Sequence, residues 1–325
     1  MQLIKSLKQK LRNPIRSGLL YFKYLKNATL SKKETKKTII VCFDGFTQHG
    51  GLVDRLKGII SFYEIAKMIG ADFKIMHHSP YELKEFLVPN KYDWSFKEED
   101  AKWGLGNTCF FYSMLEIKKN LLEILKNSSR KRFFVYNNMD YFHLIYKNLS
   151  DDERKRKWSE SFNELFKPSK YLSHLISTLD IPNDRVAIHT RFTSSLGDFV
   201  DTDVPVLSQE EKQKVIHDVI SAINSIANGL NHENIYVFSD SITFLDYIKA
   251  NSAYKVLEGK PLHPDNIKDN NDVSMYAKTF IDFFAIAQSK EIFLVVKPKP
   301  IMYPSNYSRY ASYLYDRPFK KIDIP

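Results

Sequence analysis

Cysteine is nearly absent. Cys42 and Cys109 are the only two in 325 residues, which excludes a disulfide framework and a thiolate metal site and suits a reducing cytoplasm. Long apolar runs are missing too: nothing approaches the roughly 18 consecutive apolar residues of a membrane-spanning helix, and the N-terminus lacks the apolar segment and small-residue cleavage site of a secretory signal. There is no internal repeat, and no motif that requires a metal. The net charge of +10 is confined to one end. Residues 1–37 hold eleven Lys and Arg against a single acid, Glu34, and the remainder carries equal numbers of bases and acids. The absence of net charge on the body argues against a nucleic-acid-binding face there.

What is present is a large apolar fraction, 43%, with 14% aromatic residues. That suffices for one large core or two ordinary ones, and two domains of about 150 residues are expected at this length. The predicted division is a basic segment over 1–37, an α/β domain over 38–170 and a second α/β domain over 171–325. In the basic segment Ile4, Leu7, Leu11, Ile15, Leu19 and Phe22 recur at helical steps with Lys5, Lys8, Lys10, Arg12 and Arg16 between them. This predicts an amphipathic helix with a possible kink at Pro14, suited to an anionic membrane surface; a helix packed on the body and an unstructured tail are the alternatives.

Thr38 to Phe43 is a buried-strand run. It leads through His49-Gly50-Gly51 into a helical pattern from Leu56 to Ile69, closed by Gly70, and then into a strand over Phe73 to Met76. Strand, glycine turn, helix, strand is the opening of a nucleotide-type α/β domain. Gly50 and Gly51 would let backbone N–H groups approach a phosphate or sugar, or would simply serve a tight turn. An apolar helix over Phe110 to Leu125, a strand over Lys131 to Tyr136, and a helix ended by Pro168 complete this half. The second half reads as a helix over 171–179, a strand over 185–191, a helix over 210–227, a strand over 234–238, a helix over 243–249, a strand over 254–257, a helix over 274–289 and a strand over 291–296.

Three polar strand ends stand out in that half: His189-x-Arg191, Ser239-Asp240-Ser241, and Ser305-Asn306-Tyr307-Ser308. Strands of a parallel doubly wound sheet present ligand groups at their C-terminal ends, and an arginine ringed by hydroxyls suits a diphosphate.

In order and spacing, Gly-Gly-Leu-x-x-Arg-Leu-x-Gly (50–58), Phe-x-x-Leu-Phe-x-Pro-Ser (162–169), Ile-His-Thr-Arg (188–191), Phe-Ser-Asp (238–240), Asp282 ahead of an apolar helix and strand, and Ser-x-Tyr-Ser-x-x-Ala (305–311) together resemble the fucosyltransferase superfamily. The resemblance spans about residues 38–320. It implies a GT-B-like fold, two Rossmann-type domains facing each other across a cleft, and an inverting, metal-independent transfer from GDP-fucose with no further cofactor. It places Arg191 on the β-phosphate of the leaving GDP, His189 and Asp282 near the guanosine, and Ser305, Asn306, Tyr307 and Ser308 near the phosphates and sugar. Asp240 would shape the wall and cap the next helix. Two departures are visible: Val53-Asp54-Arg55 stands where related α-1,2 enzymes have Gly-Asn-Gln, and Lys297 to Pro304 lengthens the last connection.

Inverting transfer needs the acceptor hydroxyl deprotonated, and carboxylates are the usual bases. Asp54, Asp198 and Asp201 are the candidates, with His49 a weaker one. A helix cap for Asp54 and a turn role for Asp198 are their structural alternatives. The expected function is fucosyl transfer to a surface polysaccharide or lipid-linked glycan, by a cytoplasmic protein lying peripherally on the inner membrane face through residues 1–37. Two other readings stay open at this point: a transferase with another nucleotide sugar, and a non-catalytic membrane-surface or nucleic-acid-binding protein acting through its basic segment.

Overall fold

A computed structural model describes residues 2–29, 34–114, 117, 118, 120–199, 205–263, 272–298 and 301–325. Asp201, Lys299 and Pro300 lie outside the described residues. The chain divides into two compact units, one formed by Met1–Leu83 and Val88–Lys167, the other by Lys84–Leu87 and Pro168–Pro325. The basic segment is thus part of the first unit.

The first unit contains α1 (Gln2–Lys23), β1 (Thr38–Phe43), α2 (Leu52–Ile69), β2 (Asp72–His77), β3 (Leu87–Pro89), β4 (Thr108–Tyr112), α3 (Leu121–Asn127), β5 (Arg132–Tyr136), α4 (Phe142–Ile145), α5 (Asp151–Leu165) and β6 (Phe166–Pro168); β3 and β6, at the points where the chain changes unit, pair with each other. Its main sheet has the order β2-β1-β5-β4, all parallel. Parallel strands covered on both faces read as continuous apolar runs, as Ile39 to Phe43 and Phe133 to Tyr136 do. The helix expected over Phe110 to Leu125 is instead the strand β4 followed, after a break, by α3. An apolar run as short as Phe110 to Tyr112 is ambiguous by periodicity, and pairing with β5 decides it.

α2 starts at Leu52, four residues earlier than its apolar pattern, with Gly51 at the N-cap and Gly70 in the left-handed conformation at its end. The third glycine of the motif has a packing cause. A Cβ at Gly58 would stand 2.3 Å from the Asn137 carbonyl oxygen, so only glycine lets α2 approach the chain leaving β5 this closely.

α1 is docked by one face only. Leu20 and Tyr24 are buried with Ile40, Phe110, Phe134 and Tyr136. Tyr21 stands edge-on to Phe110 with ring centres 4.8 Å apart, and Ser17 Oγ accepts the N–H of Tyr112 on the edge strand β4 at 3.1 Å. Covering an edge in this way removes a free pairing site. Of the predicted apolar stripe, Ile15, Leu19 and Phe22 face elsewhere, 58%, 45% and 75% exposed, and the side chains of Ile4, Leu7 and Leu11 lie outside the described ones. No described helix is long and apolar enough to cross a membrane.

The second unit holds α6 (Lys170–Ser177), β7 (Val186–Thr190), α7 (Gln209–Ala227), β8 (Ile235–Ser239), α8 (Ile242–Asn251), α9 (Ser274–Ala287), β9 (Glu291–Val296), α10 (Tyr307–Leu314) and β10 (Phe319–Asp323). Its sheet is β10-β9-β7-β8, again all parallel. Val186 and Ile188 pack with Val215, Val219 and Ile223 of α7 and with Ile235, Val237 and Val295. The expected strand over 254–257 reduces to one parallel bridge, Tyr236 to Lys255. β10 was not anticipated, because Phe-Lys-Lys-Ile-Asp is a charged edge strand without a continuous apolar run.

Candidate functional site

The sequence-predicted residues fall in both units. His189, Arg191, Asp198, Asp240, Asp282, Ser305, Asn306, Tyr307 and Ser308 belong to the second; Gly50, Gly51 and Asp54 belong to the first.

In the second unit the period-two alternation of β7 sends Val186 and Ile188 into the α7 side and leaves His189 for the other face. There His189 Nδ1 lies 3.0 Å from Ser308 Oγ on α10, and its ring centre is 5.6 Å from that of Tyr307. Burial, reinforced by the neighbouring Arg191 guanidinium, pushes the imidazole down to about 3, so it is neutral at physiological pH. Tyr307 donates its hydroxyl to the Thr279 carbonyl of α9 and its N–H to Ser305 Oγ. Ser305 and Ser308 are buried, while Asn306 is exposed at the N-cap position of α10 without capping it. Asp282, one turn beyond Thr279, is paired with Lys278 on the same helix. Burial outweighs that pairing and raises its carboxyl above the ordinary range.

Arg191 leaves the end of β7 with its side chain 25% exposed, Nε 3.7 Å from Asp240 Oδ2. Asp240 fixes the backbone just beyond it: its two oxygens accept the N–H groups of Phe192 and Thr193, each at 2.8 Å. Thr193 sits at φ 56, a conformation costly for a β-branched residue, and the carboxylate holds it there. Burial pushes the Asp240 carboxyl up to about 6, against the pull of Arg191 and the two N–H groups.

Here two expectations exchange places. Asp240 does not cap α8. That task belongs to Ser241, whose Oγ accepts the Phe244 N–H, and to Asp198, whose Oδ2 accepts the Ser241 hydroxyl at 2.8 Å and the Thr243 N–H at 2.7 Å. A side chain some 40 residues upstream supplies the cap, and local spacing cannot reveal that. Asp198 is therefore engaged structurally through Oδ2, while its Oδ1 is buried without a protein partner.

In the first unit Gly50 adopts φ 82, and a Cβ there would meet the Asp54 side chain at 2.8 Å. Asp54 lies in the first turn of α2 as an acid favourable to the helix dipole, and Gly51 takes the N-cap position. Its carboxylate is 41% exposed and pairs with Lys57 at 2.6 Å. The residue whose structural role sequence reading missed is Arg55. Only 1% exposed, it donates to the Gly50 carbonyl at 3.0 Å and the Ser79 carbonyl at 2.6 Å and stands 3.3 Å from His77 Nε2. It ties the glycine turn to the end of β2.

Asp44, at the end of β1, was also missed. It accepts from Lys23, Tyr24 and Tyr136, and Lys23 and Tyr24 overcome the effect of burial and hold its carboxyl below the ordinary range. His49 beside it is pushed down to about 3 by burial and by Arg55. Among the described residues, no group of three or more His, Cys, Asp or Glu side chains could hold a metal ion.

No protein-family model and no curated protein matches the sequence. Solved structures do. Among 23 matching chains is Arabidopsis thaliana FUT1, an arginine-to-lysine mutant in complex with GDP, at a TM-score of 0.55 and 11% identity, covering 93% of this chain and 73% of that one. The chain has the fold of a fucosyltransferase. At this identity the likeness is one of architecture: mixed α/β with parallel sheets, as the GT-B-like resemblance implied.

Proposed function

We propose that this fucosyltransferase-like chain is a glycosyltransferase that uses a GDP-sugar donor, with fucose as the sugar. It transfers with inversion to a hydroxyl of a surface polysaccharide or lipid-linked glycan. The observation that carries the reading is Arg191, a partly exposed guanidinium at the C-terminal end of a central parallel strand, in the same unit as a neutral His189 and the Ser305–Ser308 hydroxyls. The architectural likeness to a fucosyltransferase solved with GDP supports it.

In this reading the donor's diphosphate lies against Arg191, which can meet two phosphate oxygens at once. As the bond from the sugar to the β-phosphate breaks, negative charge builds on that phosphate, and a fixed guanidinium stabilises it without reorganising. Asp240 serves as a positioning residue by fixing the backbone just beyond Arg191. His189, neutral and bonded to Ser308, meets the nucleotide as a hydrogen-bonding group without charge. Of the two described carboxylate candidates for the base, Asp54 is the more accessible, since Asp198 is committed to the start of α8.

A panel of GDP- and UDP-sugars, read by thermal shift and donor hydrolysis, tests the donor class. GDP-fucose is expected to raise the melting temperature most and to be hydrolysed slowly. A response to UDP-sugars alone would reassign the donor, and no response to any of them would remove the transferase reading.

A further inference from the structure

The two faces of α1 have different fates. The inner face is committed to the first unit through Leu20 and Tyr24, both buried, and through Lys23 and Tyr24 on Asp44. The outer face leaves Ile15, Leu19 and Phe22 in solvent, and Leu25 in the turn beyond the helix is 63% exposed. Single apolar side chains in water need no explanation, but four along one short segment do. Packing on the body is not their purpose, because the body takes the opposite face. Arg12 and Lys26 are exposed on the same segment, and residues 1–37 carry eleven bases to one acid on an otherwise neutral chain.

We infer that the outer face of α1 is a docking surface for an anionic lipid bilayer. The helix lies in the plane of the membrane, with Ile15, Leu19, Phe22 and Leu25 entering the acyl boundary and Arg12 and Lys26 meeting the headgroups. The single sign of the charge selects this occupant over another copy of a protein whose body is neutral. The inner face makes the docking rigid: the carboxylate bonded to Lys23 and Tyr24 terminates β1, the strand that feeds the Gly50 turn. The surface holds whatever the donor is, so the donor panel and the lipid experiment fail independently.

Deleting residues 1–37 is a poor test, because it would strip Leu20 and Tyr24 from the core and Lys23 from a buried carboxylate. Flotation of the full chain with vesicles of phosphatidylcholine, alone or mixed with phosphatidylglycerol, is the direct one. The protein is expected to float only with the mixed vesicles and to be released by salt. Ile15→Glu, Leu19→Glu and Phe22→Glu combined should weaken binding at least about tenfold with the melting temperature unchanged; should that triple variant fold poorly, Phe22→Ser alone is expected to weaken binding measurably. Absence of the wild type from floated anionic vesicles, equal flotation of a folded variant, or a wild-type dimer that the variant dissolves into monomers would each overturn the assignment.

Discussion

Two motif arginines, Arg55 in the first turn of α2 and Arg191 just past β7, one in each unit, differ in what surrounds them. Arg55 lies beyond a glycine turn after β1 and is 1% exposed, with Gly50, Ser79 and His77 around its guanidinium. Arg191 stands at the end of β7, a quarter exposed, with an Asp240 carboxylate oxygen 3.7 Å away. Both belong to motifs that a sequence reader would mark. Burial separates them: a guanidinium wrapped in backbone carbonyls stabilises a loop, and a side chain that stays a quarter exposed can meet a ligand. In this fold a motif arginine is not by itself a phosphate group's partner.

Truncating each arginine in turn separates the two roles. Arg191→Ala is expected to lower donor turnover on the order of a thousandfold while leaving thermal unfolding nearly unchanged. Arg55→Ala should do the reverse, costing about 3 kcal/mol in a urea titration because the Gly50 and Ser79 carbonyls lose a buried donor. Equal loss of activity at full stability for both would erase the distinction. Gly58→Ala adds a control in the first unit. With its Cβ forced against the Asn137 carbonyl, destabilisation of about 2 kcal/mol is expected, again measured by urea unfolding.

A smaller effect sharpens the second-unit side. Asp240→Asn should reduce turnover about tenfold, as the hold on Phe192 and Thr193 loosens. It should also change the pH profile. With its carboxyl raised to about 6, wild-type Asp240 takes up a proton as pH falls through that value, and turnover is expected to drop with it; the Asn variant should lack that acid limb. The effect on stability has the opposite sign. A raised carboxyl contributes stability present below its ordinary 3.8 and lost as pH rises through about 6. His49 and His189, depressed to about 3, contribute stability present above their ordinary 6.5 and lost as pH falls toward 3. Their ring resonances should therefore not titrate between about pH 5 and 8 in an NMR titration.

Much of the architecture was legible because parallel strands buried on both faces announce themselves. β1, β5, β7, β8 and β9 read directly, as did α2, α5, α6, α7, α8 and α9. What failed shares one cause: pairing partners distant in sequence. Phe110 to Tyr112 becomes a strand by lying beside β5, Phe319 to Asp323 by lying beside β9, and Asp198 and Asp240 exchange expected tasks through bonds that span more than 40 residues. α1 is a helix as expected, but periodicity cannot say which face of a helix meets the body: Ile15, Leu19 and Phe22 stay exposed while Leu20 and Tyr24 are buried. The same limit hid Arg55, whose isolation from solvent is a property of the folded turn and not of the motif that contains it.

Calorimetric titration with GDP tests, without any acceptor, the proposal that Arg191 holds the diphosphate of a GDP-sugar. The wild type and Arg55→Lys, if folded, are expected to bind GDP alike, and Arg191→Ala at least about tenfold more weakly. GDP binding by Arg191→Ala with wild-type affinity, or no binding by any of the three, would contradict it.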